Sequence, residues 1–244
     1  MIQVFPNTKA ASQALGQEIA ALIQQQADCV LGLAAGSSPT QMYEHLVQMH
    51  RQQEFSFEQV QVVHLDEYWP CPAESKLSFQ KYLRDTLLEP AKFTAKNCHF
   101  LDGLAKPEII AKICEEYEAK ITALGGVDLQ ILGLGINGHL AFNEPGSLPT
   151  CRTRLVSLED STVKRNALDT ESPQRALTQG LGTILEARRL RVVVFGQEKA
   201  EAVRVALEES PAASCPGSWL QSHADVSWFL DSDAAAALAE STLS

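Results

Sequence analysis

Two acidic residues, Asp66 and Glu67, stand side by side directly after an apolar run at 60–65. A carboxylate at the end of a strand can move a proton between neighbouring carbon atoms of a bound substrate, especially if partial burial raises its pKa. Because successive residues of a strand point to opposite faces, we expect only one of the two side chains to face a cleft. The alternative at this stage is an ordinary solvated pair of acids.

The stretch at 133–146 reads Gly-Leu-Gly-Ile-Asn-Gly-His-Leu-Ala-Phe-Asn-Glu-Pro-Gly. Its first six residues fit the GxGxxG pattern of dinucleotide sites, and Glu159 follows about twenty residues later. Those glycines would have to open a helix, whereas Asn143-Glu144-Pro145-Gly146 breaks the chain, so we reject a dinucleotide site. The stretch instead predicts a site that presents His139, Asn143 and Glu144 in irregular backbone, with His139 as a side chain able to exchange protons. The alternative is a structural histidine.

Two further turns join a strand to a helix and are suited to bind an anion. Gly36-Ser37-Ser38-Pro39 combines a flexible glycine, two hydroxyls and a proline suited to a first helical position, so that free N–H groups face a ligand. It is not a Walker A loop, because the Lys-Ser/Thr pair is absent. In the second turn, Lys199 lies at a helix start, where a cation is unfavourable unless an anion binds beside it. An ordinary helix start and an exposed lysine are the alternatives.

The elements that must position these residues alternate along the chain. Strands are predicted at 3–5, 29–34, 60–65, 128–134, 190–195 and 226–230, with a weaker one at 98–101. Helices are predicted at 12–26, 41–52, 78–88, 108–124, 199–208 and 233–240. This order predicts an α/β fold with a doubly wound, mostly parallel, Rossmann-like sheet, in which ligands bind beyond the carboxyl ends of the strands.

The polar segment at 161–179, broken at Pro173, is predicted to form a mobile lid over one edge of the sheet. No repeat, low-complexity tract or Pro/Gly linker divides the chain, so a single domain over 1–244 is expected.

Composition limits the partners. The 244 residues carry 20 basic and 30 acidic side chains, a formal net charge of −10, which disfavours nucleic acid and anionic membranes. The apolar runs are too short for a membrane helix, and the first residues lack a signal peptide's basic start. Six scattered cysteines without a CxxC pair suggest reduced thiols in a cytoplasmic protein and no zinc site.

Taken together, four motifs resemble the glucosamine-6-phosphate deaminase family in order and spacing. They are Gly36-Ser37-Ser38-Pro39, Leu65-Asp66-Glu67-Tyr68, the specific phrase at 138–146 and Gly196-Gln197-Glu198-Lys199-Ala200. The resemblance runs from about residue 2 to residue 237. It implies a cytoplasmic enzyme, without metal or cofactor, that converts glucosamine 6-phosphate and water to fructose 6-phosphate and ammonia.

The resemblance also implies residue roles. Asp66 corresponds to the base that carries a proton between C2 and C1 of the sugar. His139 corresponds to the histidine that assists opening of the pyranose ring, held by Glu144. The implied substrate-binding set is Gly36, Ser37, Ser38, Glu67, Gly138, Arg165 and Lys199.

Two positions depart from the family pattern. Where many members have an aspartate two residues before the histidine, this chain has Asn137, which we keep in the catalytic group although it supplies no charge. The phosphate-binding arginine of the lid corresponds to Leu168, and Arg165, one helical turn earlier, is expected to replace it; the alternative is a weaker contact with the phosphate.

Three other functions are weighed. Galactosamine-6-phosphate deaminases resemble the same motifs, and nothing in the sequence decides the configuration at C4. Members of the 6-phosphogluconolactonase family have Asp-Glu-Arg and Gly-His-Thr in place of the motifs here. A sugar-phosphate sensor would need a DNA-binding helix-turn-helix, for which a chain starting with a strand has no room. We expect a monomer, with a homo-oligomer as the alternative, because the hexameric, regulated members of the family carry a longer C-terminal extension.

Overall fold

A computed structural model describes residues 1–160, 162–163 and 173–243 of the chain. Seven strands form its central sheet: β1 Ile2–Phe5, β2 Val30–Leu33, β3 Gln61–His64, β5 Cys98–His99, β6 Leu129–Gly133, β9 Leu190–Val194 and β10 Val226–Asp231. Their order is β1-β10-β9-β6-β2-β3-β5, and every neighbouring pair is parallel. The prediction of an α/β fold built on a parallel sheet is confirmed.

The α-helices among the described residues are α1 Thr8–Gln25, α2 Thr40–Arg51, α3 Phe79–Leu83, α4 Ile110–Ala123, α5 Leu181–Leu185, α6 Ala200–Glu208 and α7 Glu240–Leu243. Helix α1 begins where the Asn7 side chain accepts a hydrogen bond from the Ala10 N–H, which satisfies one of the unpaired donors at a helix start. Helix α3 continues into a π-helical turn at Arg84–Leu88.

The core lies on both faces of the parallel sheet. Every residue of β2 and of β9 is buried, as expected from their apolar runs without alternation. Large side chains such as Leu31 and Phe229 are no more than 1% exposed. The sheet is therefore a rigid base for the loops at its carboxyl edge.

A second sheet, absent from the prediction, lies beside the first. It consists of β4 Asp66–Trp69, β7 Arg154–Ser157 and β8 Arg175–Thr178, antiparallel in the order β4-β8-β7. Only Leu65 separates β3 from β4, so the chain leaves the parallel sheet and enters the antiparallel one at the acidic pair.

Two predicted elements need correction. The lid expected at 161–179 includes β8, the central strand of the second sheet, while 161 and 164–172 lie outside the described residues. The helix expected at 233–240 is wrong, because 232–237 form hydrogen-bonded turns and helix begins only at Glu240. The Asp231 side chain accepts hydrogen bonds from the N–H groups of Ala234 and Gly196, which ties these turns to the loop after β9.

No helix in the described part of the chain has the length and apolar character needed to span a membrane.

Candidate active site

A cavity of about 440 Å³ opens at the carboxyl edge of the parallel sheet. Its volume lies within the ~300–1,000 Å³ typical of small-molecule sites. Segments that follow β2, β3, β6 and β9 contribute to its wall. Of the residues predicted from the sequence, it brings together Gly36, Ser37, Ser38, Asp66, Asn137, His139 and Lys199.

The other predicted site residues lie elsewhere. Glu67, Gly138 and Glu144 are not part of the cavity wall. Glu67 and Gly138 are each adjacent in sequence to a wall residue, and Glu144 contacts the wall residue His139. Arg165 and Leu168 lie outside the described residues.

Asp66 is a buried carboxylate on the cavity wall. It is 5% exposed, and among the described residues none donates a hydrogen bond to its side chain. Burial raises the pKa of Asp66 well above its ordinary value, and the neighbouring Glu67 carboxylate adds to that rise. A buried acid with a raised pKa and no fixed partner can accept and return a proton.

Glu67 points to the opposite side of β4, as the alternation of a strand requires. Its carboxylate accepts hydrogen bonds from the Ser78 hydroxyl at 2.7 Å and from the N–H groups of Phe79 and Gln80 at 2.9 Å each. It also accepts one from the N–H of Tyr68 at 3.0 Å. Burial raises the pKa of Glu67, and these donors oppose the rise. The expected contact of Glu67 with substrate is therefore corrected: the residue holds the start of α3 against β4.

The loop after β6 is built around its glycines. A Cβ on Gly135 would lie 2.4 Å from the His139 ring, so the imidazole packs directly over the backbone of Gly135. Gly138 has a φ of 81°, and a Cβ there would lie 2.5 Å from the sulfur of Cys215. No helix follows within 134–150, so the pattern serves close packing rather than a dinucleotide.

His139 and Glu144 form a pair within this loop. The Nδ1 atom of His139 lies 3.4 Å from Oε2 of Glu144, and the Asn137 side-chain amide donates to the same oxygen at 2.9 Å. Burial on its own would raise the pKa of Glu144, but bonds from His139, Thr162 and Asn137 outweigh it and lower the pKa to about 2. Glu144 is therefore a fixed anion beside the imidazole, and His139 faces the cavity.

The turn after β2 forms one end of the cavity. Gly36 has a φ of 128°, a conformation that favours glycine. Its carbonyl accepts hydrogen bonds from the hydroxyls of Tyr82 at 2.7 Å and Thr40 at 3.1 Å, which fix the turn. The hydroxyls of Ser37 and Ser38 make no hydrogen bond to any described residue. The residues that lead into α2, up to Pro39, line the cavity, and the first turn of α2 has no acidic residue to offset its positive end.

Lys199 lies on the wall of the same cavity as the Gly36-Ser37-Ser38 turn. Gly196, with a φ of 91°, turns the chain after β9, and the Nζ of Lys199 donates to the Leu134 carbonyl at 2.6 Å. That bond places the ammonium group between the ends of β6 and β9, on the cavity wall.

Sequence reasoning missed several wall residues: Lys76, Phe79, Tyr82, Thr162 and Glu198. Lys76 has no ion pair or hydrogen bond with any described residue and adds a second cation to the wall. No signal in the sequence identifies it, because its position depends on how Glu67 holds α3. Glu198 could have been predicted from the sequence, because it directly precedes Lys199 in the same turn.

The described residues contain no group of three or more His, Cys, Asp or Glu side chains arranged to hold a metal ion. All six cysteines are free thiols.

Comparison with known proteins agrees with this geometry. A family model described as glucosamine-6-phosphate isomerases/6-phosphogluconolactonase matches residues 7–228. The glucosamine-6-phosphate deaminase of Hahella chejuensis is 40% identical over 89% of this chain and 84% of its own length. That of Halothermothrix orenii is 35% identical over 97% of this chain and 99% of its own length.

Solved structures give the same result. A monomeric glucosamine-6-phosphate deaminase superposes with a TM-score of 0.93 at 33% identity, covering 97% of this chain and 99% of that protein. The 6-phosphogluconolactonase of Trypanosoma brucei shares the fold, with a TM-score of 0.76 at 23% identity and 98% of each chain covered. On the family match, the identity to these deaminases and the shared fold, this chain belongs to the family of glucosamine-6-phosphate isomerases and 6-phosphogluconolactonases.

Proposed function

We propose that this protein is a glucosamine-6-phosphate deaminase, which converts glucosamine 6-phosphate and water to fructose 6-phosphate and ammonia. The observation that carries the proposal is the buried carboxylate of Asp66, which no described residue pairs, on the same cavity wall as His139 and the Gly36-Ser37-Ser38 turn. The names of the relatives support the same activity.

Ring opening is the step assigned to His139. The pyranose opens when a proton leaves the hydroxyl on C1 and another reaches the ring oxygen, and one imidazole can carry out both transfers. Glu144, an anion held by Asn137, stabilises the protonated form of the ring while the proton is in transit.

Isomerisation is the step assigned to Asp66. In the open chain, whose amino group starts as an ammonium, the carboxylate removes the proton from C2. One ammonium proton passes to the carbonyl oxygen on C1, which gives a neutral enolamine across C1 and C2. The same group then returns the proton to C1, so that C2 becomes an iminium carbon. One buried acid above the C1–C2 bond suffices for both transfers, because its conjugate acid is the donor in the second.

Deamination completes the reaction. Water adds to the iminium carbon C2, and the resulting carbinolamine expels ammonia as its hydroxyl becomes the ketone. The carbon chain and the phosphate are unchanged, and the oxygen of the water is the new carbonyl oxygen. No electron acceptor is needed, because C1 is reduced as C2 is oxidised.

Phosphate binding is assigned to the end of the cavity with Gly36, Ser37, Ser38 and Lys199. Two hydroxyls that bond to no described residue, the N-terminus of α2 and an ammonium group suit a dianion, although the whole chain has a net charge of −10. Lys76 supplies a second positive charge on the wall.

We also propose that the protein acts as a monomer in the cytoplasm on this small amino-sugar phosphate. The monomeric deaminase that superposes over nearly the full length of both chains supports the oligomeric state.

The first prediction concerns the substrate. Purified protein without added metal should release ammonia from glucosamine 6-phosphate, measured with a coupled ammonia assay and by formation of fructose 6-phosphate. Galactosamine 6-phosphate and 6-phosphogluconolactone are assayed in parallel. Turnover of the galactosamine epimer alone would reassign the substrate, and turnover of the lactone alone would refute the deaminase proposal.

The second prediction tests the base. Asp66→Asn keeps the shape of the side chain but cannot accept the C2 proton, so kcat should fall by a factor of about 10²–10⁴, the usual contribution of a general base. Binding of fructose 6-phosphate, measured by calorimetry, should change little. A variant that retains most of its turnover would mean that another group is the base.

The third prediction follows from the raised pKa of Asp66. The folded protein holds this proton at pH values where the unfolded chain has released it, so ionisation of Asp66 costs stability as pH rises above the ordinary value. Asp66→Asn should therefore raise the free energy of unfolding by about 1–3 kcal/mol near neutral pH, and by less near pH ~4. Urea unfolding at several pH values measures the difference.

The control for this stability effect is Asp28→Asn, which changes an exposed acid. It should leave the unfolding free energy unchanged at every pH. A destabilising Asp66→Asn at neutral pH would contradict the argument.

The fourth prediction tests the phosphate end. Lys199→Ala removes a charge-assisted bond to the phosphate, so KM should rise about tenfold or more, with a smaller effect on kcat. The matched control, Lys96→Ala, removes one positive charge from an exposed residue outside the cavity and should behave as wild type. Equal KM values for the two variants would remove Lys199 from the phosphate site.

A further inference from the structure

We propose that Glu159 is a positioning residue that holds the His139–Glu144 pair in place through the side chain of Asn137. The inference rests on the proposed role of His139 in ring opening. It concerns a residue outside the motifs that support the family relationship, and it gives Asn137 a function that needs no charge.

The contacts of Asn137 are fully committed to this arrangement. Its side-chain amide donates one hydrogen bond to Oε2 of Glu144 at 2.9 Å and one to Oε2 of Glu159 at 3.2 Å. Its side-chain oxygen accepts the N–H of His139 at 3.2 Å. Because an amide nitrogen carries two hydrogens, both donors are used, and the torsion of the side chain is fixed by both carboxylates at once.

Glu159 also reaches Glu144 directly. Its backbone N–H donates to Oε1 of Glu144 at 3.4 Å, so the two oxygens of Glu144 are held from different directions. The backbone of Glu159 is anchored in turn, because its carbonyl accepts the N–H of Val163 at 3.0 Å and the preceding Leu158 bonds to the carbonyl of Gln174 at 2.9 Å.

The amide at 137 fits this position and a carboxylate does not. Two carboxylates already face the side chain, and an amide donates to both, whereas an aspartate would place a third negative charge between them. Asn137 therefore belongs to this site because Glu159 is there, and its part in catalysis is to orient the pair rather than to transfer a proton.

The consequence is specific to chemistry at His139. Without the Glu159 carboxylate, one donor of Asn137 loses its partner, and the side chain is held by two hydrogen bonds, to Glu144 and from the His139 N–H, instead of three. The orientation of the imidazole then becomes less well defined, which slows proton transfer. The phosphate end of the cavity is built from other segments, so substrate affinity should be preserved.

The experiment compares Glu159→Ala with Asp160→Ala, which removes the adjacent exposed acid. Glu159→Ala should lower kcat for glucosamine 6-phosphate about tenfold and leave KM within about twofold, whereas Asp160→Ala should match wild type. Glu159→Gln should recover most of the loss, because its amide oxygen still accepts the bond from Asn137. Equal rates for the two alanine variants, or a rise in KM alone, would overturn the proposal.

A double-mutant cycle tests the route through Asn137. Asn137→Ala should lower kcat, and adding Glu159→Ala should lower it little further, because the Glu159 side chain reaches the His139–Glu144 pair through Asn137. Independent, multiplying effects would overturn the proposal. Thermal unfolding and binding of fructose 6-phosphate show that each variant is folded.

NMR spectroscopy, which does not depend on enzymatic turnover, tests the positioning role of Glu159 separately from the proposed function. The NMR signals of the His139 ring, identified by their loss in His139→Gln, should shift in Glu159→Ala and not in Asp160→Ala. Wild-type protein without activity on the amino sugar would refute the proposed function alone. Unchanged His139 signals in Glu159→Ala would refute the positioning role whatever the substrate.

Discussion

The site depends on keeping one carboxylate, Asp66, buried and without a hydrogen-bond partner in the part of the chain that the structure describes. Burial of an acid in this state costs free energy, and the surrounding chain must be held firmly enough to prevent the side chain from finding a partner. The backbone that leads into Asp66 is fastened at two successive residues. The His64 carbonyl accepts bonds from the Tyr117 hydroxyl at 2.6 Å and the Gln179 side chain at 2.9 Å, and the Leu65 carbonyl accepts the Gln179 N–H at 2.9 Å.

Two carboxyl groups near the cavity have pKa values shifted in opposite directions. Asp66 receives no hydrogen bond from the described residues, and burial raises its pKa, whereas Glu144 receives bonds from His139, Thr162 and Asn137, which outweigh burial and lower its pKa to about 2. The difference comes from the local supply of donors, because both groups are largely buried. It separates an acid that can exchange a proton from an anion that only orients and stabilises a neighbour.

The parallel sheet and most of the site were predictable because their signals are local. Buried strands appear as short apolar runs, and each chemical motif directly follows one of them. The second sheet was not predictable, because neither β4 nor β7 shows an apolar run: β4 carries the acidic pair and β7 is only partly buried. Both strands pair with β8, and the pairing of β4 with β8 joins residues far apart in the chain, such as Asp66 with Thr178. The misassignment of Glu67 has the same origin, because its partners at 78–80 belong to a helix whose position no local pattern reveals.

The antiparallel sheet explains why the chain turns at Leu65. The Gly36-Ser37-Ser38 turn and the loop that carries His139 both extend from the parallel sheet. Asp66, in contrast, lies on an outer strand of the antiparallel sheet, and Glu159 follows β7 at the opposite edge of that sheet. The base and the support for the imidazole are thus joined through three paired strands, β4, β8 and β7, rather than through a flexible loop. Hydrogen-bonded strands resist changes in spacing, so this sheet fixes Asp66 and Glu159 relative to the loops at the carboxyl edge of the parallel sheet, which the proposed proton transfers require.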